Sequence, residues 1–293
     1  MFQFGTTISL LEPVSGSALD RAFDALELLA SRPAGLPLAS VVEALSIPKS
    51  AAHRLLATLA ARGYVQQDAP TGHYRLTTRL VSMGFRYLAL AGVSDTVQPT
   101  LDRLAERTGE LVRLGVVDGD RQTWVARSQG ARSGLRYDPD MGADAPLAST
   151  ASGQAWLACL TDEQAVVLVS RQGFPTPGAH GPNAPRTVRA LLERLRAARE
   201  RGYARVVESS APGTSAMAAA IRHPATRGVI GVVSVAGPSI RLTDDRMDDL
   251  APSMLEAAAE LADASATSEY FTAIGRASAR AAPAPSRATR RAR

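Results

Sequence analysis

The sequence predicts an α+β fold in two domains: a small helical unit closed by a hairpin, and a larger unit that mixes strands with helices. Three observations carry this. The chain has 293 residues, enough for about two domains at roughly 150 residues each. Its first ninety residues show helix-type apolar spacing three times, then two short strand-like runs around a turn. Beyond residue 92, strand-like and helix-like stretches both recur. With 45% hydrophobic and 21% charged residues, the composition is that of a globular protein, which excludes disorder of the whole chain.

Residues 18–31 are apolar at positions 19, 22, 23, 26, 29 and 30, a single helical stripe with Ser17 as the N-cap. Arg32-Pro33-Ala34-Gly35 ends that helix. Residues 38–45 form a short second helix, and Ser46-Ile47-Pro48 a tight turn, with Pro48 where a helix start tolerates it. In the third segment, Pro48 to Arg62, Ala52, Leu55, Leu56 and Leu59 share one face. Ser50, His53, Arg54, Ala57, Thr58 and Ala61 share the opposite one. The segment holds Lys49, Arg54 and Arg62 and no acid, so nothing bulky or negative keeps its polar face out of a major groove. Gly63 stops the helix. Tyr64–Gln67 and His73–Leu76 read as strands around the turn at 68–72. Helix, helix, turn, helix, hairpin is the order of a winged helix-turn-helix.

This assigns groove and phosphate contacts to Lys49, Ser50, His53 and Arg54, helped by Thr58 and by the hairpin residues His73 and Arg75. A three-helix bundle used for protein contacts fits the same pattern. Arg54 paired with Glu43, and His53 simply solvated, are the plain alternatives for those two side chains.

Residues 78–91 follow without a loop. Leu80, Val81, Met83, Phe85, Leu88 and Ala91 make this helix too apolar for a free linker, so it needs a partner surface. A second subunit is attractive, because paired helix-turn-helix units read paired half-sites. The resulting domains are 15–77, a linker helix at 78–91, a third part at 92–270 and a basic tail at 271–293. From Arg276 on, the tail is Ala, Pro, Ser and Arg, with little to bury, and is expected to be disordered. It is either a solvated tail or a basic arm adding salt-sensitive affinity for nucleic acid.

In the third part, residues 95–110 form an amphipathic helix with Val97, Leu101, Leu104 and Ala105 on one side. Residues 110–117 and 123–127 alternate as strands around Asp118-Gly119-Asp120. Leu135–Tyr137 is a further short strand, and 138–144 a loop. A helix begins at Ser152 and runs to Cys159. Its first turn, Thr150-Ala151-Ser152-Gly153, offers free N–H groups to an anion such as a ligand carboxylate. Residues 173–185 form a long Gly/Pro loop, 186–201 a charged helix, 204–207 and 229–235 strands, and 248–264 a final helix.

Charge and composition exclude several functions. The net charge of +5 divides as +2 over residues 1–91, −3 over 92–270 and +6 over 271–293. Lysine occurs once, at Lys49, against 32 Arg, so individual arginines are not read as phosphate ligands. The single cysteine, Cys159, excludes an internal disulfide and any multi-cysteine metal site. The four histidines, at 53, 73, 180 and 223, lack the usual zinc spacings. No cofactor is expected. No run approaches twenty apolar residues, and no secretory signal is evident before Arg21, so a cytoplasmic protein is expected. Ser149, Ser152 and Cys159 are the nearby nucleophile candidates, but S-x-x-K, G-x-S-x-G and phosphate-loop patterns are all missing. An enzyme, or a small-molecule-binding protein whose helix-turn-helix serves protein contacts, remains the alternative to a DNA-binding protein under ligand control.

The run SALDRAFDALELLA…LPLASVVEALSIPKSAAHRLLATLAARGYVQQDAPTGHYRLT resembles the N-terminal domain of the isocitrate-lyase-regulator (IclR) family of bacterial transcription factors. PLASTASGQAWLA (146–158), LRAARERGYARVVESSAPGTSAMAAAI (195–221) and VVSVAGPSIRLTDDRM (232–247) resemble its later segments, in the family order, over roughly residues 15–265. The resemblance implies a winged-helix domain, a dimerisation helix, and a GAF-like or profilin-like effector domain with a curved antiparallel sheet. It implies a dimer or dimer of dimers that binds double-stranded DNA at a pseudo-palindromic operator.

It also implies an effector pocket at Leu135, Tyr137, Met141, Ala151 and Ser152, together with Val207, Ala216, Met217, Ser234 and Ala236. Each of these has a plain core reading as well. Ala148 stands where the family often has His, Gln154 where it has Lys, and Val206 and Val207 where acids are common. Ala216 replaces a frequent Cys and Ala220 a frequent Pro. These departures predict a pocket poor in polar groups and an effector with an apolar or aromatic body and one polar end. Burying unpartnered polar atoms there costs ~1–3 kcal/mol each. Tyr137 and Met141 can pack on such a ring, and Arg136 is a candidate for the acid end. A catabolic operon is the expected target.

Overall fold

The computed structural model describes residues 17–90, 93–137 and 141–281. The chain divides into two compact units, residues 1–87 and 88–293. The first contains helices α1 (Ala18–Ala30), α2 (Leu38–Leu45) and α3 (Lys49–Ala61), and a hairpin of β1 (Val65–Gln67) and β2 (Tyr74–Leu76). Ser17 caps α1 reciprocally: its hydroxyl accepts from the Asp20 N–H, and the Asp20 carboxylate accepts from the Ser17 N–H. The core of this unit is Ala25, Leu29, Val41, Leu56, Leu59, Val65 and Tyr74.

The buried stripe of α1 differs from the expected one. Ala22, Ala25, Leu26 and Leu29 face the core, while Leu19 and Phe23 lie 63% and 56% exposed. The two stripes are about one residue apart around the helix, so Ala25, which permits close approach, takes the inner place and the bulky pair turns outward. Gly35 has φ +83, and a Cβ there would meet the Tyr74 carbonyl at 2.8 Å. This close approach lets Leu36 pair with Tyr74 through N–H···O bonds of 2.9 and 2.8 Å. The hairpin thereby gains a one-residue third strand that local pattern does not announce.

Helix α4 (Arg79–Leu90) buries none of its residues. Val81, Met83, Phe85, Tyr87 and Leu90 are more than half exposed.

The second unit comprises α5 (Val93–Thr108), β3 (Leu111–Asp118), β4 (Arg121–Gln129), α6 (Ala151–Leu157), α7 (Asp162–Gln172) and α8 (Val188–Arg201). These are followed by β5 (Ala204–Val207), β6 (Thr214–Arg222), β7 (Val229–Pro238), α9 (Asp244–Ala264), a 3-10 turn (Ser265–Thr267) and α10 (Glu269–Ala281). The strands form one antiparallel sheet in the order β4-β3-β7-β6-β5. One face carries Val112, Leu114, Met217, Ile221, Val233 and Val235 and packs on α5, α9 and α10. The other carries Val117, Val206, Ala218 and Val232 and packs on α6 and α8.

Four elements depart from the sequence reading. Leu135–Tyr137 is irregular, not a strand; it makes no ladder with the sheet, and Leu135 is 66% exposed. Strand β6 was not expected, because its run of alanines has weak strand preference; burial between β5 and β7 overrides that. Helix α7 fills part of the stretch before the Gly/Pro loop, opened by a capping box between Thr161 and Gln164. The expected disordered tail is corrected as well. Residues 271–281 belong to α10, whose Phe271 and Ile274 are buried in the core, so the domain boundary at 270 falls inside a helix. Residues 282–293 lie outside the described residues.

Candidate functional site

The first candidate surface is the outer face of α3. Ala52, Leu56 and Leu59 anchor the helix in the core, and Lys49, Ser50, His53, Arg54, Ala57 and Thr58 are exposed. The structure therefore sorts this helix as its spacing predicts. Among the described residues, Arg54 has no carboxylate partner, and the suggested pair with Glu43 does not form. The Thr58 hydroxyl donates back to the Arg54 carbonyl at 2.8 Å, leaving its lone pairs facing solvent. In the hairpin, Arg75 is exposed opposite Gln66. With the Gln66 amide turned to present its oxygen, that oxygen accepts from Arg75 at 2.7 Å. His73 is half-buried just before β2. Asp68 closes the hairpin turn by accepting from the Thr71 hydroxyl at 2.7 Å and the Thr71 N–H at 3.1 Å. Those bonds hold its carboxyl below the usual range and tie the one acid of the hairpin into the turn.

The second is a cleft between the sheet and the start of α6. It is lined by Arg113, Tyr137, Thr150, Ala151, Ser152, Ser210, Thr214, Ser215, Ala216, Ser234 and Ala236. Of the expected effector residues, Tyr137, Ala151, Ser152, Ala216, Ser234 and Ala236 line it. Four do not. Leu135 lies on the surface. Met217 is fully buried on the opposite sheet face, because alternation along β6 sends it away from Ala216. Val207 packs on that same far face. Met141 is half-buried outside the lining, and residues 138–140 beside it lie outside the described residues.

Gly153 sets how closely α6 approaches the segment before it, since a Cβ there would fall 2.3 Å from the Leu147 carbonyl. The helix can approach that segment only as glycine. Thr150 caps α6, its hydroxyl accepting from the Gly153 N–H at 3.0 Å. Gln154 is buried and donates to the Ala148 carbonyl at 2.7 Å, a structural bond rather than a ligand contact.

The expectation of a pocket poor in polar groups is corrected by Arg113, which the sequence reading missed. The residue is 5% exposed, and its Nε and Nη1 lack hydrogen-bond partners among the described residues. So does the Ser152 hydroxyl. The guanidinium carbon lies 3.7 Å from the centre of the Trp124 ring. A register shift between Leu114 and Gly115 sets Trp124 opposite Gly115. This bulge turns the indole onto Arg113's face of the sheet. Burial pushes the Arg113 pKa down to about 10, with Tyr137 raising it and Arg127 lowering it. The group is therefore still a cation at neutral pH. Its signal in the sequence was a lone charge inside the apolar run LVRLGVV.

Comparison with known families decides the identity. Residues 18–69 match the model of the IclR helix-turn-helix domain, and residues 85–263 match the bacterial transcriptional regulator IclR C-terminal model. The chain belongs to the IclR family. It is a DNA-binding transcriptional regulator with an effector-binding domain. Like other IclR-family chains it has curated relatives of nearly full length. It is 32% identical to the HTH-type transcriptional regulator BhcR of Paracoccus denitrificans over 83% of this chain and 85% of that protein. It is 29% identical to the transcriptional repressor IclR of Escherichia coli over 85% and 90%.

Among solved structures, an IclR regulator from Alicyclobacillus acidocaldarius superposes with TM-score 0.73 at 24% identity, covering 85% of this chain and 98% of that one. An IclR homologue from Microbacterium hydrocarbonoxydans, solved in complex with 4-hydroxybenzoate, gives 0.69 at 22%, covering 86% and 100%. These two likenesses show the fold.

The IclR fold also places the nucleophile candidates. Ser149 Oγ lies 3.2 Å from His180 Nδ1, and burial lowers the His180 pKa. No carboxylate is recorded on that imidazole among the described residues. Cys159 donates to the Ala155 carbonyl at 3.4 Å, and burial raises its thiol pKa, which disfavours the reactive thiolate. The relatives are regulators, and nothing in these contacts points to catalysis. No described helix is long and apolar enough to cross a membrane.

Proposed function

We propose that this regulator reads a pseudo-palindromic operator as a dimer or dimer of dimers, and that a small carboxylic acid with an aromatic or largely apolar body controls it at a catabolic operon. The observation that carries this is the pairing, in one chain, of an acid-free exposed α3 with a narrow cleft between the sheet and α6 that is lined by a buried Arg113 and by Ser152 and Ser234. Lys49, Ser50, His53 and Arg54 make the groove and phosphate contacts, and Thr58, His73 and Arg75 support them. In the cleft, Tyr137, Ala151, Ala216 and Ala236 offer apolar walls, and Ser152 and Ser234 hydroxyls suit a polar substituent on the ligand. That a fold neighbour was solved in complex with 4-hydroxybenzoate supports an acid of that class.

Oligomerisation is supported by α4, which exposes Val81, Met83, Phe85 and Leu90. So many large apolar side chains left in water on one helix favour an interaction site. An effector changes operator affinity only by binding two dimer geometries unequally, and α4 is the segment that joins the reading unit to the sensing unit.

The test uses DNA from the intergenic regions flanking the protein's own coding sequence. Acids that raise the melting temperature are added to the protein–DNA complex, and binding is followed by fluorescence anisotropy. A shift in DNA affinity of fivefold or more supports the reading. Acids that bind and leave DNA affinity unchanged refute effector control.

A further inference from the structure

We propose that Arg113, held flat against Trp124, is the residue with which this regulator selects a carboxylate, so that an anionic end on the effector is a requirement of binding. The proposal rests on the cleft reading given above and goes further by naming the group that sets ligand charge.

Three observations carry it. First, Arg113 is 5% exposed, yet among the described residues Nε and Nη1 have no acceptor. Buried arginines normally sit in ion pairs or hydrogen-bond networks, because an isolated buried charge is costly. Among the described residues Arg113 has no ion pair, and its neighbour across the ladder is Arg127, another cation. The internal electrostatics thus leave a vacancy for negative charge. Contrast Glu110, just before β3: it is also buried, but Arg241 engages both its oxygens, at 2.7 and 2.8 Å. This protein satisfies a buried charge where the charge is structural.

Second, the guanidinium borders a cleft. Arg113 lines the cleft together with Ser152, Ala216 and Ser234, so a ligand seated there meets the guanidinium directly.

Third, the guanidinium is pre-positioned. The Trp124 ring lies 3.7 Å away, and the strand bulge between Leu114 and Gly115 fixes that ring on the same face. A planar fork stacked on an aromatic ring offers its in-plane donors to a planar acceptor such as a carboxylate. Lysine in the same place supplies charge without that fork.

The recognised chemistry is a small carboxylate. Matched pairs separate charge from shape: benzoate with benzamide, phenylacetate with phenylacetamide, hexanoate with hexanamide. Thermal shift and titration calorimetry are run on the full-length wild type and on Arg113→Met, Arg113→Lys and Ser152→Trp, each first checked for its circular dichroism and DNA binding. The expected result is that at least one acid binds the wild type and its amide does not. Arg113→Met then weakens the acid by roughly 10- to 150-fold, the range for a hydrogen bond to a charged group, and Arg113→Lys falls between.

Amides binding as well as acids overturn the proposal, as does a panel in which no acid binds the wild type. An acid that binds Arg113→Met as it binds the wild type, yet fails on Ser152→Trp, removes Arg113 and leaves the cleft standing. An acid unaffected by Ser152→Trp removes the cleft as well.

Discussion

The Arg113 guanidinium stacks 3.7 Å from the centre of the Trp124 ring while two of its donors go unpaired. A ring face answers only part of the cost of burying a cation, so the ligand-free domain carries a local destabilisation. Replacing such a charge with an apolar chain of similar length relieves it. Arg113→Met is expected to raise the stability of the ligand-free protein by about 1–4 kcal/mol, on the scale seen when buried ion pairs give way to apolar packing. Denaturant unfolding measures this. A drop in stability would mean that the stack outweighs the desolvation and that the charge is structural.

Acid binding through Arg113 has a defined pH profile. Burial lowers its pKa to about 10, while a ligand carboxylate ionises near pH ~4. Both partners stay charged between those values. Affinity for the acid should be flat from pH 6 to 9 and fall as pH passes through 10, when the cation is lost. Tyr137 and Arg127 are the titratable groups acting on Arg113. An affinity that instead falls well below pH 9 would show that a group other than Arg113 holds the acid.

Ser152 sits 2% exposed at the first turn of α6 with its hydroxyl unpaired, lining the cleft. An indole there fills the space a ligand needs. Ser152→Trp should abolish the ligand-induced rise in melting temperature and leave affinity for DNA within about twofold. Unchanged ligand affinity in this variant would take Ser152 out of the pocket.

Met217 gives the complementary test, because the structure moves it from the effector set to the core. It is fully buried among Val235, Leu250 and Met254. Met217→Ala should cost about 2–5 kcal/mol, as for other large-to-small core changes, while ligand affinity persists once the protein is folded. A variant of normal stability that fails to bind ligand would return Met217 to the cleft.

The reading unit was legible because its signals are local. A capping residue at Ser17, a proline at the start of α3 and a three-and-four spacing of small polar residues fix its helices without reference to distant chain. The sensor unit was legible only in outline. Ala216 and Met217 are adjacent, and only the pairing of β6 with β5 and β7 decides which of them faces the cleft. The alanines of β6 hid the strand itself. Arg113 escaped notice because its neighbours in sequence are apolar, and its partner Trp124 reaches it through a bulge that no local pattern encodes. Leu135 was assigned by position within a family, yet its segment leaves the sheet.

The most direct test of the central claim, DNA reading by the exposed face of α3, is the affinity of Arg54→Ala for the wild-type target fragment. Arg54 is exposed and without a carboxylate partner among the described residues, so its removal costs the fold little. Loss of a charge-assisted contact to base or phosphate is expected to weaken binding tenfold or more, about 1.4 kcal/mol, with ligand binding intact. Equal affinity for the mutant and the wild type, at the same salt concentration, would contradict the assignment of α3 as the reading helix.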